Sequence, residues 1–246
     1  MKLSFVIPAY NEEHYIGKCL SSIADQLRAT PHDCEIIVVN NASTDGTEKV
    51  ASSYSGVLVV NESRKGIVHA RRAGYLASTG DLIANIDADT ILPAGWIERV
   101  FQEFSENKNL AALSGPYIYY DLPRLTNLAT RFFYYSGYII YLANHYILKR
   151  GGMLQGGNFI IRRSALEQIG GYDTSIEFYG EDTDIARRAR TAGEVLFTFK
   201  LPMYTSGRRL AKEGVITMGL KYSINHLWIL LFKKPFTKNH IDIREI

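Results

Sequence analysis

Asp87 and Asp89 stand one residue apart at the end of an apolar run, Leu82-Ile83-Ala84-Asn85-Ile86, and Pro93 and Gly95 follow. Alternate side chains of a strand share a face, so the two carboxylates can converge on one point. Two hard oxygen ligands there suit a divalent cation such as Mg2+ or Mn2+, which would in turn hold phosphate oxygens. The plainer reading is a solvated Asp-x-Asp turn. A second acidic cluster, Glu181-Asp182-Thr183-Asp184, leads into a helical pattern marked by Ile185, Ala189 and Ala192. Asp182 falls in the first turn, where the helix dipole favours the ionised form. A carboxylate there can be a cap or a general base. Between the two clusters, Arg64-Lys65-Gly66 leads into an expected helix over Ile67–Ala77 with Arg71 and Arg72 in its early turns. A basic loop at a helix N-terminus suits phosphate; the alternative is a surface turn with exposed arginines.

The elements that must position these groups can be read from periodicity. Leu3–Ile7, Glu35–Val39 and Val57–Val60 are short apolar runs that read as buried strands. Ile16, Leu20, Ile23 and Leu27 recur at helical spacing, and Asn11 is a candidate cap with Glu12 and Glu13 in the first turn. A short helix through about Tyr54 completes a βαβαβ unit, which implies a parallel sheet. Right-handed crossovers then bring Pro8–Glu12, Asn40–Asp45 and Asp87–Asp89 to one edge, where open α/β sheets hold ligands. Downstream, Trp96–Glu106 reads as a helix whose Trp96, Val100, Phe101 and Phe104 are core. Phe159–Ile161 returns to the sheet, Ser164 opens a short helix ended by Gly170-Gly171, and Glu194–Phe199 is a last strand.

The chain has 246 residues, 46% of them hydrophobic and 22% charged, which is enough for a sizeable core without disulfides. Cys19 and Cys34 have no metal or redox spacing and read as buried thiols of a reducing compartment. The N-terminus enters a strand-like run directly, with no signal-peptide pattern. The organisation expected is one continuous domain over residues 1–210 and a helical extension over 211–246. Residues 200–246 carry nine Lys/Arg against three Asp/Glu, so the body, residues 1–199, sums to −3 of the total +3. A basic tail suits a polyanionic surface or membrane; a solvated helix is the alternative.

Two aromatic stretches stand apart. Tyr117 to Leu148 holds eight of the sixteen tyrosines and a single acidic residue, Asp121. Leu125–Lys149 is long enough for a helix but too polar for a membrane span. Val215–Phe232, with Trp228 and Phe232, reads as an amphipathic helix stopped by Lys233-Lys234-Pro235. Both stretches suit a membrane interface or a partner, and a core-covering helix is the alternative for the first.

Four motifs stand in order: Pro8-Ala9-Tyr10-Asn11-Glu12-Glu13, Val38-Val39-Asn40-Asn41-Ala42-Ser43-Thr44-Asp45-Gly46-Thr47, Asp87-Ala88-Asp89 and Gly180-Glu181-Asp182-Thr183-Asp184. Together they resemble the motif series of glycosyltransferase family 2, over roughly residues 3–210. The resemblance implies the GT-A fold, a Rossmann-like α/β architecture with a mostly parallel central sheet flanked by helices. It implies an inverting, metal-dependent transferase that uses a UDP- or GDP-sugar and Mg2+ or Mn2+. Carried over, Pro8, Tyr10 and Glu12 would hold the nucleoside, Asn41 would sit near the base and Arg71 would approach the diphosphate. Asp87, Ala88 and Asp89 would hold nucleotide and metal, with Asp87 and Asp89 as the ligands. Asp182 would be the general base, with Glu181, Gly157 and Asn158 on the acceptor side, in the Gly156-Gly157-Asn158 loop. Arg208 or Arg209 would close over the diphosphate. Asn40 departs from the Asp common in the family. The Gln-x-x-Arg-Trp motif of processive synthases is missing, so transfer of a single sugar is expected. The acceptor would be a glycan or a lipid-linked molecule, in cell-envelope or polysaccharide synthesis. The site of action would be the cytoplasm, at the inner face of the membrane if the peripheral contact holds.

Rival readings are weaker. A non-catalytic nucleotide-sugar-binding subunit would not need Asp87, Asp89 and Asp182 together. A dehydrogenase needs Gly-x-Gly-x-x-Gly after the first strand, and a nucleotidyltransferase a glycine-rich loop there; Ala9–Glu13 supplies neither. Nucleic acid is not expected as a partner, because no reading motif accompanies the basic tail.

Overall fold

The computed structural model describes residues 1–142, 152–176, 180–214, 217–219, 221, 223–225 and 228. The buried apolar runs form strands, as a fully covered sheet requires: β1 (Leu3–Ala9), β2 (Cys34–Asn40), β3 (Val57–Asn61) and β4 (Leu82–Ile86). Between them lie α1 (Ile16–Leu27), α2 (Thr47–Ser52) and α3 (Ile67–Ala77). The remaining elements are β5 (Thr90–Ile91), α4 (Trp96–Glu106), β6 (Leu110–Ser114), β7 (Tyr117–Tyr119), α5 (Arg124–Leu142), β8 (Asn158–Arg162), α6 (Arg163–Gln168), α7 (Glu181–Ala189), β9 (Glu194–Phe197), β10 (Met203–Thr205) and α8 (Arg208–Glu213).

Seven strands make the central sheet in the order β3-β2-β1-β4-β8-β6-β9. All its pairings are parallel except those of β8, which runs antiparallel to β4 and β6. The C-terminal ends of β1, β2 and β4 therefore share one edge, as the crossover rule requires. α4 buries Trp96, Ile97, Val100, Phe101 and Phe104. Each such side chain contributes about 1.5–3 kcal/mol of transfer free energy, which holds the helix to the sheet.

A second sheet, β5-β10-β7, has no counterpart in the sequence reading. Its strands are two or three residues long, too short to show a period. The small sheet matters because β10 carries the chain back beside the Asp87–Asp89 turn: Thr205 pairs with Thr90, and Ser206 N–H donates to Asp89 O at 3.2 Å.

The expected start of the first helix is corrected. Asn11 does not cap α1, which starts at Ile16 after Tyr15 with no side-chain cap. Asn11 instead has φ +51°, and its Oδ1 accepts from Thr44 N–H at 2.9 Å. Glu12 and Glu13 consequently lie in the loop and not in a helical turn. Of the two arrangements that would let Asp87 and Asp89 converge, a strand running through them or a turn just after it, the chain adopts the turn: β4 ends at Ile86 and the two carboxylates follow it. α8 straddles the expected boundary at residue 210, and Met218 and Asn225 beyond it are buried. Residues 143–149 of the expected first aromatic helix lie outside the described residues. So do Gly151, Phe178-Tyr179 and most of Val215–Pro235, although 217–219, 221, 223–225 and 228 are helical. No helix among the described residues is long and apolar enough to cross a membrane.

Candidate active site

The site is built from the loops at the shared strand edge. The loop after β1 is laced to the loop after β2: Glu12 N–H donates to Thr47 Oγ1 at 2.7 Å, Asn11 N–H to Ser43 Oγ at 3.1 Å, and Gly46 N–H to Glu13 Oε2 at 2.7 Å. This fixes the buried Glu12 carboxylate. The turn after β4 is closed by Thr90, whose N–H and hydroxyl both donate to Asp87 O, at 3.2 and 2.7 Å.

Asp87 is oriented by a relay. Gly157 N–H donates to Tyr117 Oη at 2.7 Å, and Tyr117 O–H donates to Asp87 Oδ2 at 3.0 Å. Burial first, and then the Asp87 charge, push the Tyr117 phenol well above its ordinary pKa, so it stays a donor. Nothing in the sequence singled out Tyr117; it lies just after the Ser114-Gly115-Pro116 turn, in the short β7. Gly157 is required sterically. A Cβ there would lie 2.1 Å from Asp87 Cγ and 2.5 Å from Tyr117 Oη.

Arg71 lies beneath, 1% exposed. Its guanidinium donates to Glu181 Oε1 at 2.8 Å and to Gly156 O at 2.7 Å, and stands 3.6 Å from Asp87 Oδ1. Burial opposes its charge, but Glu181 and Asp87 outweigh this and raise its pKa. Arg71 thus ties the turn after β4 to the start of α7 and to the Gly156 loop. It does not stand free over a diphosphate, and Arg72 beside it is exposed.

α7 begins after Gly180, which adopts φ +89°, a left-handed conformation that glycine takes without strain. Glu181 and Asp182 open the helix. Burial, and next the neighbouring Asp182 charge, raise the Glu181 pKa to about 7, with Arg71 pulling against them. Asp182 Oδ1 accepts from Thr183 N–H at 2.6 Å. A Cβ on Gly156 would lie 3.5 Å from Glu181 Oε1 and 3.7 Å from Asp182 Oδ2, so the loop glycine faces both carboxylates.

On the other side, Arg208 Nη2 reaches Asp89 Oδ2 at 3.0 Å and makes a short ion pair with Glu12. Its guanidinium lies over the Tyr15 ring, 4.3 Å from the centroid. Burial lowers its pKa, but Asp89 and Glu12 more than offset this and raise it. Asp121 anchors the start of α8 by accepting from Ser206 Oγ and Gly207 N–H. Arg209 points elsewhere and pairs with Glu213 on its own helix at 3.5 Å. Arg208 is therefore the arginine at the cleft.

Five further predicted residues lie around these groups. Asn41 is buried: its Nδ2 donates to Glu62 O and Arg64 O at 3.0 and 2.7 Å, and its Oδ1 accepts from Gly66 N–H at 2.8 Å. It shapes the loop into α3 and does not face a base. Asn158 has no exposed surface; its amide bonds Trp96 Nε1, Gly115 O and Leu201 O, which locks the loop and leaves nothing for an acceptor. Ala88 is buried within the turn. Pro8 lies at the C-terminal part of β1, opposite Val39. Tyr10 is partly exposed and accepts from Lys65 Nζ at 2.7 Å.

The carboxylates of Asp87 and Glu181 thus gather around the Arg71 guanidinium and those of Glu12 and Asp89 around that of Arg208, with Asp182 beside Glu181. Among the described residues, no group of three or more His, Cys, Asp or Glu could hold a metal ion unaided. Asp87, one-third exposed, and Asp89 still supply two hard oxygen donors. That set fits a cation held by one or two carboxylates and completed by ligand phosphates. Cys19 lies behind the turn, near Asp87 O, its thiol pushed up to about 12 by burial, and so takes no part as a ligand.

A mostly parallel sheet with an acidic turn and facing loops at its strand ends defines the GT-A class of transferases. The sequence profile of Glycosyl transferase family 2 matches residues 4–170, and the chain belongs to that family. It is similar to the glycosyltransferase AglE of Haloferax volcanii, with 27% identity over 196 residues that cover 78% of this chain and 62% of AglE. The chain thus spans less than two-thirds of that relative. Its fold is similar to that of the mannosyltransferase PcManGT of Pyrobaculum calidifontis, solved in complex with GDP-Man and Mn2+ (TM-score 0.69, 21% identity, 92% of this chain and 61% of that one). It is also similar to that of glucosyl-3-phosphoglycerate synthase from Mycobacterium tuberculosis, solved with Mn2+ and UDP-glucose (TM-score 0.64, 23% identity, 96% and 80%).

Proposed function

We propose that this chain transfers a single sugar from a UDP- or GDP-sugar to an acceptor hydroxyl in glycan synthesis, with inversion, using Asp182 as general base. The observation that carries the reading is the bridge made by Arg71. It joins Asp87, on the leaving-group side, to Glu181, which is next to Asp182 on the attacking side. Two carboxylate groups with separate tasks are what a one-step displacement needs.

In that displacement the acceptor oxygen attacks the anomeric carbon, and the bond from that carbon to the nucleoside diphosphate breaks with its electron pair. Asp182 takes the acceptor's proton, which is worth about 10²–10⁴-fold for a positioned base. The Gly156 backbone leaves room for the acceptor beside Asp182, and Glu181 orients it. Arg208 offsets charge on the departing diphosphate, and Glu12 and Tyr10 border the nucleoside. Mg2+ or Mn2+ held by Asp87 and Asp89 would supply further positive charge to the diphosphate. The GDP-Man and UDP-glucose bound to the two structural neighbours make those donors the first to try.

A thermal-shift panel of UDP, GDP, CDP and dTDP, each with and without Mn2+, tests this on wild type and Asp89→Ala. Ligand at a hundredfold excess over Kd stabilises by about 2.7 kcal/mol. One diphosphate should shift the wild type only with metal and fail on the variant. No shift from any of them would contradict a donor site built on Asp87 and Asp89, whereas a shift without transfer to any acceptor would favour the non-catalytic, nucleotide-sugar-binding reading.

A further inference from the structure

α5 has two opposed faces. On one, Thr130 and Tyr134 are buried; the Tyr134 ring stacks on Phe197, and its hydroxyl donates to Gln155 Oε1 at 2.8 Å. On the other, Leu125, Leu128 and Phe132 are 78%, 62% and 75% exposed, and Tyr135, 50% exposed, marks the end of the stripe where its ring stacks on Phe199 at 4.7 Å. Their spacing of i, i+3, i+7 and i+10 puts them on one stripe roughly 80° wide. The stripe is bordered on one side by Arg124 and Arg131, both exposed. α5 contains no Asp or Glu.

A contiguous exposed stripe of large apolar side chains marks an interaction surface. Its charge decides the occupant. Two arginines without a carboxylate complement an anionic surface, and leucine, phenylalanine and tyrosine suit the headgroup–acyl boundary. Among the described residues the helix is not long and apolar enough to cross a bilayer, so it would lie in the plane.

We propose that the outer face of α5 is a membrane-docking surface that seats Leu125, Leu128, Phe132 and Tyr135 in an anionic bilayer. Arg124 and Arg131 then lie among the headgroups. The inner face connects this surface to the cleft: Tyr134 holds Gln155, and Gly156 and Gly157 follow directly. Docking therefore brings the loop beside Asp182 up behind the membrane-facing helix, within reach of an acceptor carried in the bilayer. The docking itself does not depend on the transferase reading.

Flotation of the whole chain tests it, with vesicles of phosphatidylcholine alone and of phosphatidylcholine with phosphatidylglycerol. Wild type should float with the anionic vesicles at low salt and less so at high salt. The pair Leu128→Glu/Phe132→Glu should lose at least about tenfold in partitioning. The pair Arg124→Gln/Arg131→Gln should lose roughly fivefold per arginine on anionic vesicles only. All the changed side chains are exposed, so both variants should keep the wild-type melting temperature. Wild type left at the bottom with anionic vesicles at low salt would overturn the proposal. So would a glutamate variant that floats as well as wild type. A wild-type dimer that does not float, and that the glutamate pair makes monomeric, would assign the face to a second copy instead. Nucleotide binding measured without vesicles reports on the donor site separately, so failure of docking and failure of the transferase reading are distinguishable.

Discussion

Arg208 rests on Asp89, its Nη2 3.0 Å from Oδ2, while also pairing with Glu12. An arginine from the far end of the domain thus stands at the carboxylate proposed to hold a divalent cation. It neutralises two acids, one of them buried, that would otherwise repel across the cleft. Arg208→Ala should destabilise the ligand-free protein by about 3 kcal/mol, because it leaves the Glu12 charge uncompensated. Added Mn2+ should restore part of the lost melting temperature in the variant and do little for the wild type. A variant that melts like wild type would remove Arg208 from this role.

Arg71 should be less replaceable. Its planar fork serves Glu181, Gly156 O and Asp87 together from a fully buried position. Arg71→Met should cost about 3–5 kcal/mol in urea unfolding, since a buried carboxylate loses its partner. Arg71→Lys should recover less than half of this, because the compact ammonium lacks the planar fork that spans Glu181, Gly156 O and Asp87 from one position.

Neighbouring glycines should behave differently. Alanine at 157 drives a methyl into Asp87 and Tyr117, so Gly157→Ala should displace Asp87 and abolish metal-dependent nucleotide binding by calorimetry. Gly156→Ala meets only ordinary contacts of 3.5 to 3.7 Å. It should fold and bind nucleotide normally, and raise the acceptor KM by narrowing the space beside Asp182.

A pH test probes the scaffold apart from the site. Glu35 is held down to about 2: burial alone would raise its pKa, but Lys2, Ser4 and Thr79 hydrogen-bond the carboxylate. A depressed acid adds stability that is complete above its unfolded pKa of about 4.3 and is lost as pH falls toward the folded value. Glu35→Gln should therefore lower stability at pH 7, by about 1 kcal/mol after screening of this partly solvated cluster. Urea titrations of the two proteins should converge between pH 4 and about 2. A gap independent of pH would mean that Glu35 acts through packing and not through charge.

Much of this architecture was legible before any coordinates. α3 and α4 have the expected bounds, and α1 buries the expected stripe of Ile16, Leu20 and Ile23 although it starts later than its cap candidate suggested, because each helix buries one stripe on a sheet and period 3.6 survives in the sequence. The parallel order of β1 to β4 followed from alternation of strands and helices. Within the candidate site, Asp87 and Asp89 lie just past a strand end and Glu181 and Asp182 in a first helical turn, where the sequence suggests them. The site was not legible where position depends on long-range pairing. Arg208 and Arg209 are adjacent and alike, and only the short β10 pairing with β5 decides which one meets Asp89. Tyr117 and the structural parts of Asn41 and Asn158 follow from side-chain hydrogen bonds between distant segments, which leave no periodic trace. Asn11 suits a cap by type, but its positive φ serves the lacing to the loop after β2.

The central claim is that Asp182 activates the acceptor while Asp87 and Asp89 hold the leaving group. The most direct measurement is single-turnover sugar transfer by Asp182→Asn beside its donor Kd from calorimetry. Transfer should fall by about 10²–10⁴-fold with the donor Kd unchanged. Loss of donor binding together with transfer, or transfer that persists at the wild-type rate, would contradict the assignment.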